Sequence, residues 1–153
     1  MDIYLLLWLV LFTAPVSTML HELGHVLGAK WAKADSITLS VGAGKKLITF
    51  SFKQIQIDVF TLFFLGGSAY SERNIPYKPM EKICISLAGP VSNGLAAAIV
   101  CVLFGSSNVF VQVLILFNIW LAVINIIPFK LNGKQSDGYT IVKTVSQTYT
   151  NFK

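Results

Sequence analysis

Charge is what this chain has least of. Only 12% of its 153 residues are Asp, Glu, Lys or Arg, whereas 54% are hydrophobic. Soluble domains are about a quarter charged. A soluble fold of this size could bury a large apolar core, but too few polar residues would remain to cover its surface. The composition therefore excludes an ordinary soluble domain and predicts an integral membrane protein whose partner is the lipid bilayer.

Basic residues are absent from residues 1–29 and 83–129. Eight of the twelve Lys and Arg lie within 30–82, and the other four lie at position 130 or beyond. This distribution is typical of the positive-inside rule. No basic run is long enough to predict a nucleic-acid surface, although the net charge is +5. We expect the basic connections to face the cytoplasm.

Cysteine is also scarce, with Cys84 and Cys101 the only two. Both fall in one apolar segment, where their spacing on a helix separates them by about 25 Å. A disulfide requires Cα atoms within about 7 Å, so we expect two apolar, unpaired residues. The N-terminus lacks the basic region of a signal peptide, and cleavage is not expected.

Three apolar segments are long enough to cross a bilayer core of about 30 Å, which takes about 20 helical residues. They cover about residues 3–29, 83–104 and 109–129, and Pro15 is expected to kink the first. The short connection 105–108 predicts a helical hairpin. With basic connections inside, the N-terminus lies outside and the C-terminus is cytoplasmic. We expect a bacterial cell membrane.

The connection between the first two spans has the period-two alternation of half-buried strands. The alternation covers residues 37–41 and 54–59, and part of 46–52. Gly42-Ala43-Gly44 and Lys53 are expected to mark turns. The apolar run 60–65 is too short to span and predicts a strand or a re-entrant segment.

The predicted fold class is an α-helical integral membrane protein. It has about three transmembrane helices, with a small membrane-associated β region over about residues 36–67 between the first and second. We expect one domain covering residues 1–153, with a short amphipathic helix in its last fifteen residues.

Histidine is rarer still, and its placement is informative. The only two, His21 and His25, are spaced i, i+4, so one helix face can offer both imidazoles to a metal ion. Glu22 can reach a metal-bound water without being a ligand. Such a motif often arises by chance in soluble sequences, but ionisable groups at membrane depth are costly and rarely kept without a role. The pattern predicts a metal site that is about 8 to 13 Å from Lys30 at the cytoplasmic interface.

A catalytic zinc ion needs a third protein ligand, and no third histidine exists. Asp137, in the polar loop after the third span, is the first candidate, and the Cys84 thiolate is the alternative. The acids of the basic connection are more easily interpreted as solvated charges; these are Asp35, Asp58, Glu72 and Glu81.

Three motifs occur in order along the chain. HELGH at 21–25 lies in the first span, AGPVSN at 88–93 in the second, and NIIP at 125–128 leads to Asp137-Gly138. Together they resemble the site-2 protease family of intramembrane zinc metalloproteases, over nearly the whole chain. The resemblance implies one zinc ion held by His21, His25 and Asp137, with Glu22 as the catalytic base, near the cytoplasmic face.

Two departures from the family pattern are visible. Residues 129–136 form a longer, lysine-bearing insertion before Asp137 than the family usually has. The connection 105–108 is too short for the PDZ domain that some members carry, and no nucleotide-sensing domain is expected. The chain resembles a minimal catalytic core.

The expected function is zinc-dependent hydrolysis of peptide bonds in or near transmembrane segments of membrane protein substrates. Asn93 and Asn125 are expected either to hydrogen-bond the substrate backbone or, equally well, to join neighbouring helices. The edge of the strand region could bind an extended segment by strand addition. The alternatives are a catalytically silent zinc-binding scaffold or regulator, which would not need Glu22, and a zinc carrier, which would need more spans. The sequence does not predict the oligomeric state.

Overall fold

The structure is a computed structural model that describes residues 2–131 and 133–150. Three helical segments are long and apolar enough to cross a membrane: Ile3–Trp31, Pro79–Phe104 and Val109–Ile126. A small sheet lies between the first and second in sequence. The predicted fold class, a helical integral membrane protein with three spans and a small β region, is therefore confirmed.

The first span is helical throughout but is not regular. Helix α1 (Ile3–Trp8) continues through a π-helical stretch (Leu9–Thr13) into α2 (Ala14–Trp31). The π-helical stretch ends just before Pro15, which lacks a backbone N–H and whose ring crowds the preceding turn. The distortion expected at Pro15 is thus a widened turn.

The second span, α3 (Pro79–Phe104), begins four residues earlier than predicted. Its start is fixed by Glu81, whose carboxylate accepts the Lys78 backbone N–H at 2.7 Å and pairs with Arg73 at 2.6 Å. The interpretation of Glu81 as a solvated charge was wrong, because its partners hold it half-buried in the first turn of the helix. Arg73 also donates to the carbonyl of Ala32, which ties this connection to the end of α2.

The third span, α4 (Val109–Ile126), ends three residues earlier than predicted. Ile127 has an extended backbone with ψ 127° because it precedes Pro128, whose ring disfavours the helical conformation of the residue before it. Helices α3 and α4 pack against each other as the short connection predicts.

The β region is longer than predicted and consists of β1 (Ser36–Phe52) and β2 (Ile55–Glu72). The turn expected at Lys53 is confirmed, with φ 54°. The turn expected at Gly42-Ala43-Gly44 is wrong. Gly42 and Gly44 have positive φ inside β1, where the register shifts between its two halves. The run 60–65 is part of β2.

The register folds the two long strands into a sheet of four short stretches. Residues 36–41 of β1 have a neighbour on each side. On one side they pair antiparallel with residues 67–72 of β2. On the other side they pair with residues 55–59 of β2, which run in the same direction. The start of β1 is therefore central. Its Ile37 and Leu39 are buried against Val26 and Ala29 of α2.

Asp58 of β2 is buried, so its interpretation as a solvated charge was also wrong. Its carboxylate accepts hydrogen bonds from Lys46 Nζ at 2.7 Å, from Thr49 Oγ1 at 2.7 Å and from Gln56 Nε2 at 3.1 Å. These hydrogen bonds hold the pKa of Asp58 below its ordinary value, and the hydrogen bond from Lys46 has the largest effect.

A short hairpin of β3 (Lys130–Leu131) and β4 (Lys134–Gln135) follows α4 and leads into α5 (Asp137–Thr150). The predicted terminal helix therefore exists but begins at Asp137, and residues 151–153 lie outside the described part of the chain. Helix α5 packs on α3 and α4.

Candidate metal centre

One turn of α2 brings the two imidazoles together. His21 Nε2 and His25 Nε2 lie 3.1 Å apart. The carboxylate of Asp137, in the first turn of α5, reaches both of them: Oδ2 lies 3.1 Å from His21 Nε2, and Oδ1 lies 3.3 Å from His25 Nε2. Potential ligand atoms of these three residues all lie within 4.8 Å of one another.

Hydrogen bonds on the far side of His21 fix its tautomer. The Asn93 amide nitrogen donates to the backbone carbonyl of Ser17 at 2.9 Å, and a carbonyl can only accept. Asn93 Oδ1 therefore faces His21 Nδ1, at 2.7 Å, and Nδ1 is the donor. A neutral His21 carries its free lone pair on Nε2, which faces the centre.

His25 is fixed in the same tautomer by the backbone. Its Nδ1 lies 2.8 Å from the carbonyl oxygen of Ile85 and must donate to it. Both Nε2 atoms of the neutral imidazoles thus present lone pairs to each other and to a carboxylate. Asp137 Oδ2 is buried and receives no hydrogen bond from the described residues. These four atoms repel one another unless a proton or a metal cation lies among them. Two imidazole nitrogens and a carboxylate are also a common ligand set of zinc, so the residues present fit a metal ion.

Glycine leaves the space between the imidazoles and α3 empty. A Cβ atom at Gly89 would lie 2.5 Å from His25 Nε2 and 2.8 Å from His21 Nε2. Gly24 similarly lets α2 approach the backbone of Ala88. A side chain at Gly89 would therefore crowd the two imidazole nitrogens that face Asp137.

The two ends of the insertion before Asp137 are hydrogen-bonded to each other. The backbone N–H of Ser136 donates to the Phe129 carbonyl at 3.0 Å, and the Phe129 N–H donates to Ser136 Oγ at 3.0 Å. Ser136 Oγ also donates to the Ile127 carbonyl and accepts the Tyr139 N–H. The β3–β4 hairpin therefore projects from a closed base, and Asp137 directly follows that base.

Glu22 stands beside the three-residue group and is not part of it. Its half-buried side chain faces β2, where it lines a small cavity with Gly66 and Gly67. A Cβ atom at Gly67 would lie 3.1 Å from Glu22 Cγ.

The other candidates are placed differently. Asn93 is fully buried behind His21, and its amide nitrogen donates to Ser17 and to Asn118. This arrangement leaves Asn93 no free donor for a substrate. Asn125 donates to the Leu121 carbonyl and lines a cavity of about 500 Å³ beside the β3–β4 hairpin. Cys84 is not in the converging group of the described residues.

Three residues that the sequence reasoning missed complete the surroundings: Ser17, Asn118 and Ser136. Asn118 had a readable signal, because an amide in the middle of an otherwise apolar span needs a partner. Ser17 and Ser136 had none, because small hydroxyl residues are common in both helices and loops.

The comparisons with known proteins address the first two motifs. Residues 9–109 match the sequence model of Peptidase family M50. A search of curated proteins found no match. The matched range covers more than half of the chain and contains both histidines, Glu22 and Asn93, whereas Asp137 lies beyond it. This chain therefore belongs to Peptidase family M50, the site-2 protease family that its three motifs resemble.

Proposed function

We propose that this chain is a zinc-dependent intramembrane endopeptidase that hydrolyses peptide bonds in or near transmembrane segments of membrane proteins. One observation carries the proposal: His21 Nε2, His25 Nε2 and the Asp137 carboxylate converge, while the Nδ1 atom of each imidazole is engaged elsewhere. Membership in a peptidase family supports peptide hydrolysis as the reaction.

Zinc is the cation that suits this donor set. Two imidazole nitrogens and one carboxylate are the ligands of many catalytic zinc sites, which keep a further position open. When bound, zinc acts as a Lewis acid that lowers the pKa of a coordinated water and polarises a peptide carbonyl. His21, His25 and Asp137 would hold the ion, and the hydrogen bonds of the two Nδ1 atoms to Asn93 and Ile85 keep the imidazoles oriented for it.

Glu22 is the proposed general base. Its carboxylate is next to the ligand group without belonging to it, and it faces the side on which β2 passes. In the proposed reaction Glu22 takes a proton from the attacking water and later gives it to the amine nitrogen of the departing segment. One carboxylate can serve both steps because it remains beside the reacting atoms.

The substrate segment is proposed to bind as an added strand. A helical peptide bond is shielded and internally hydrogen-bonded, so the segment must unwind before its carbonyl can reach the site. Among the described residues, 67–72 pair with β1 alone, and this stretch runs past Glu22 at Gly67. Its unpaired edge can accept an extended segment through main-chain hydrogen bonds.

Asn125 is the remaining amide for substrate contact. Its amide nitrogen donates to Leu121, while no hydrogen bond from the described residues reaches its Oδ1. Oδ1 can therefore accept a backbone N–H of the substrate. Asn93, whose donors are engaged, is proposed to hold His21 instead of a substrate.

The proposed orientation has the N-terminus outside and the metal centre near the cytoplasmic face. The basic residues lie where α2 ends, where α3 begins and after α4, which is the same end of all three spans. His25 lies five residues before Lys30, about 8 Å along a helix.

Purified protein in nanodiscs, incubated with candidate transmembrane substrates, tests the proposal. Wild type should bind zinc and cleave, whereas Glu22→Gln should keep its zinc and lose at least about a hundredfold in rate, since general acid–base catalysis contributes about 10²–10⁴-fold. Equal cleavage by the two proteins would rule out the role of Glu22. Zinc binding without cleavage of any substrate by wild type would favour the silent scaffold.

A further inference from the structure

A chain of buried polar groups crosses the interior of the three spans behind His21. Ser17, Asn93 and Asn118 belong to α2, α3 and α4, and at most 1% of each residue is exposed. Asn118 Nδ2 donates to Ser17 Oγ at 2.8 Å, and Asn93 Nδ2 donates to Asn118 Oδ1 at 2.8 Å. Buried amides in an apolar span are costly unless they are paired, and here every amide N–H of Asn93 and Asn118 is paired.

Backbone carbonyls fix the direction of this chain. Asn118 Nδ2 also donates to the Leu114 carbonyl at 2.8 Å, so Asn118 Oδ1 must be the atom that faces Asn93. Asn93 then has its nitrogen towards Asn118 and the Ser17 carbonyl, and its oxygen towards His21 Nδ1. A flip of either amide would place a donor against a donor or an acceptor against an acceptor.

The two histidines differ in what holds them. His25 Nδ1 donates to a backbone carbonyl, that of Ile85, which cannot rotate away within its helix. His21 Nδ1 donates to the side-chain amide of Asn93, which can rotate by half a turn. A rotated Asn93 would present N–H groups to Nδ1, and His21 would then carry its proton on Nε2, against Asp137. The tautomer of His21 therefore depends on further residues that keep the Asn93 amide from rotating, whereas that of His25 does not.

We infer that Asn118, supported by the Ser17 hydroxyl, is a positioning residue of the metal centre: together with the Ser17 carbonyl it locks the Asn93 amide and thereby keeps His21 Nε2 unprotonated and available as a ligand. This inference rests on the proposed metal site but adds residues that none of the three motifs contains. Partners of this outer kind typically change metal affinity by about 10–100-fold when they are removed.

Burial of a hydroxyl in this region does not by itself imply such a role. Thr13, one turn before Ser17, is equally buried, yet its Oγ1 has no hydrogen-bond partner among the described residues. Thr13→Val therefore provides a matched control that removes a buried hydroxyl from the same span without touching the chain of amides.

The test uses the full chain in nanodiscs and measures zinc affinity by competition with a chelator. Asn118→Leu should bind zinc about 10–100-fold more weakly than wild type, and Ser17→Ala should weaken binding in the same direction but less. Thr13→Val should match wild type. Asn118→Asp should recover much of the affinity, because a protonated Asp can accept from Asn93 and donate to Ser17.

A second readout follows the tautomer directly in zinc-free protein. The chain has only two histidines, so nitrogen-15 spectra of the imidazoles contain two spin systems, and a His25→Asn variant identifies that of His21. Wild type and Thr13→Val should show His21 protonated at Nδ1, whereas Asn118→Leu should show a mixture of the two tautomers.

The outcomes separate the two claims. If Asn118→Leu matches Thr13→Val in zinc affinity and in the His21 tautomer, the inference is wrong even though the metal site stands. If wild type binds no zinc, the proposed function fails, and the tautomer readout still decides the role of Asn118. Should Asn118→Leu not fold, Ser17→Ala decides by the same two measurements, and wild-type values in both would overturn the inference.

Discussion

Ser136 and Phe129 bond to each other across the base of the insertion that precedes Asp137. The Ser136 N–H donates to the Phe129 carbonyl, and the Phe129 N–H donates to Ser136 Oγ, each at 3.0 Å. The β3–β4 hairpin lies between them, and those of its residues that the structure describes contribute no ligand atom to the converging group. The position of Asp137 is thus independent of the length of the insertion.

Shortening the insertion should therefore leave the metal centre intact. We expect that replacing residues 130–135 with Asn-Gly, which favours a two-residue hairpin turn, leaves zinc affinity within about threefold of wild type, or about 0.6 kcal/mol. Chelator competition measures it. Loss of zinc from the shortened chain would show that the hairpin itself supports the site.

Removing the Ser136 hydroxyl should have the opposite effect. Ser136→Ala leaves the N–H groups of Phe129 and Tyr139 without their acceptor. An unsatisfied buried group costs about 1–3 kcal/mol, so both thermal stability and zinc affinity should fall. The exposed Ser146 of α5 supplies the control, since Ser146→Ala should change neither. Similar values for the two variants would contradict the closure described for Ser136.

A methyl group at Gly89 should exclude the metal. In Gly89→Ala the new Cβ would lie 2.5 Å from His25 Nε2, so the imidazoles and α3 must separate. We expect zinc content to fall to near zero while circular dichroism shows the helices retained. Gly94→Ala on the same helix meets no atom within 4 Å and should keep its zinc. Full zinc occupancy in Gly89→Ala would place the ion elsewhere.

The β region should lose stability in acid through Asp58. Its pKa is lowered in the folded protein, chiefly by the hydrogen bond from Lys46. The stabilisation is therefore present above the ordinary carboxyl pKa of about 3.9 and is lost as the pH falls through the lower folded value. Thermal unfolding of wild type and Asp58→Asn, measured from neutral pH downwards, checks it. The two curves should converge in acid, and a difference that stays constant would contradict the assignment.

Features with a local cause were predictable from the sequence. The three spans follow from the length of their apolar runs, and the shared face of His21 and His25 follows from their spacing. The Lys53 turn was also local. By contrast, the four-stretch sheet depends on which strands meet in space, and alternation alone gives no register. The buried pairing of Asp58 was missed for the same reason.

The candidate site shows the same division. The sequence predicts Asp137 as a ligand because the motifs resemble the site-2 protease family and because no third histidine exists. The unusual length of the insertion before Asp137 does not support this prediction. Its approach to the imidazoles depends on Ser136 bonding to Phe129, which only the folded chain reveals. The link from Asn118 to His21 joins residues distant in sequence. An isolated polar residue in a span signals a partner but does not identify it.

The zinc environment itself is the most direct test of the central claim. X-ray absorption at the zinc edge of the purified protein should show one zinc per chain with only nitrogen and oxygen neighbours, at about 2.0–2.2 Å. Asp137→Asn should lose the metal, whereas Glu22→Gln should retain an unchanged spectrum. A sulfur neighbour at about 2.3 Å would make Cys84 the third ligand. Undiminished zinc in Asp137→Asn would equally contradict the site described here.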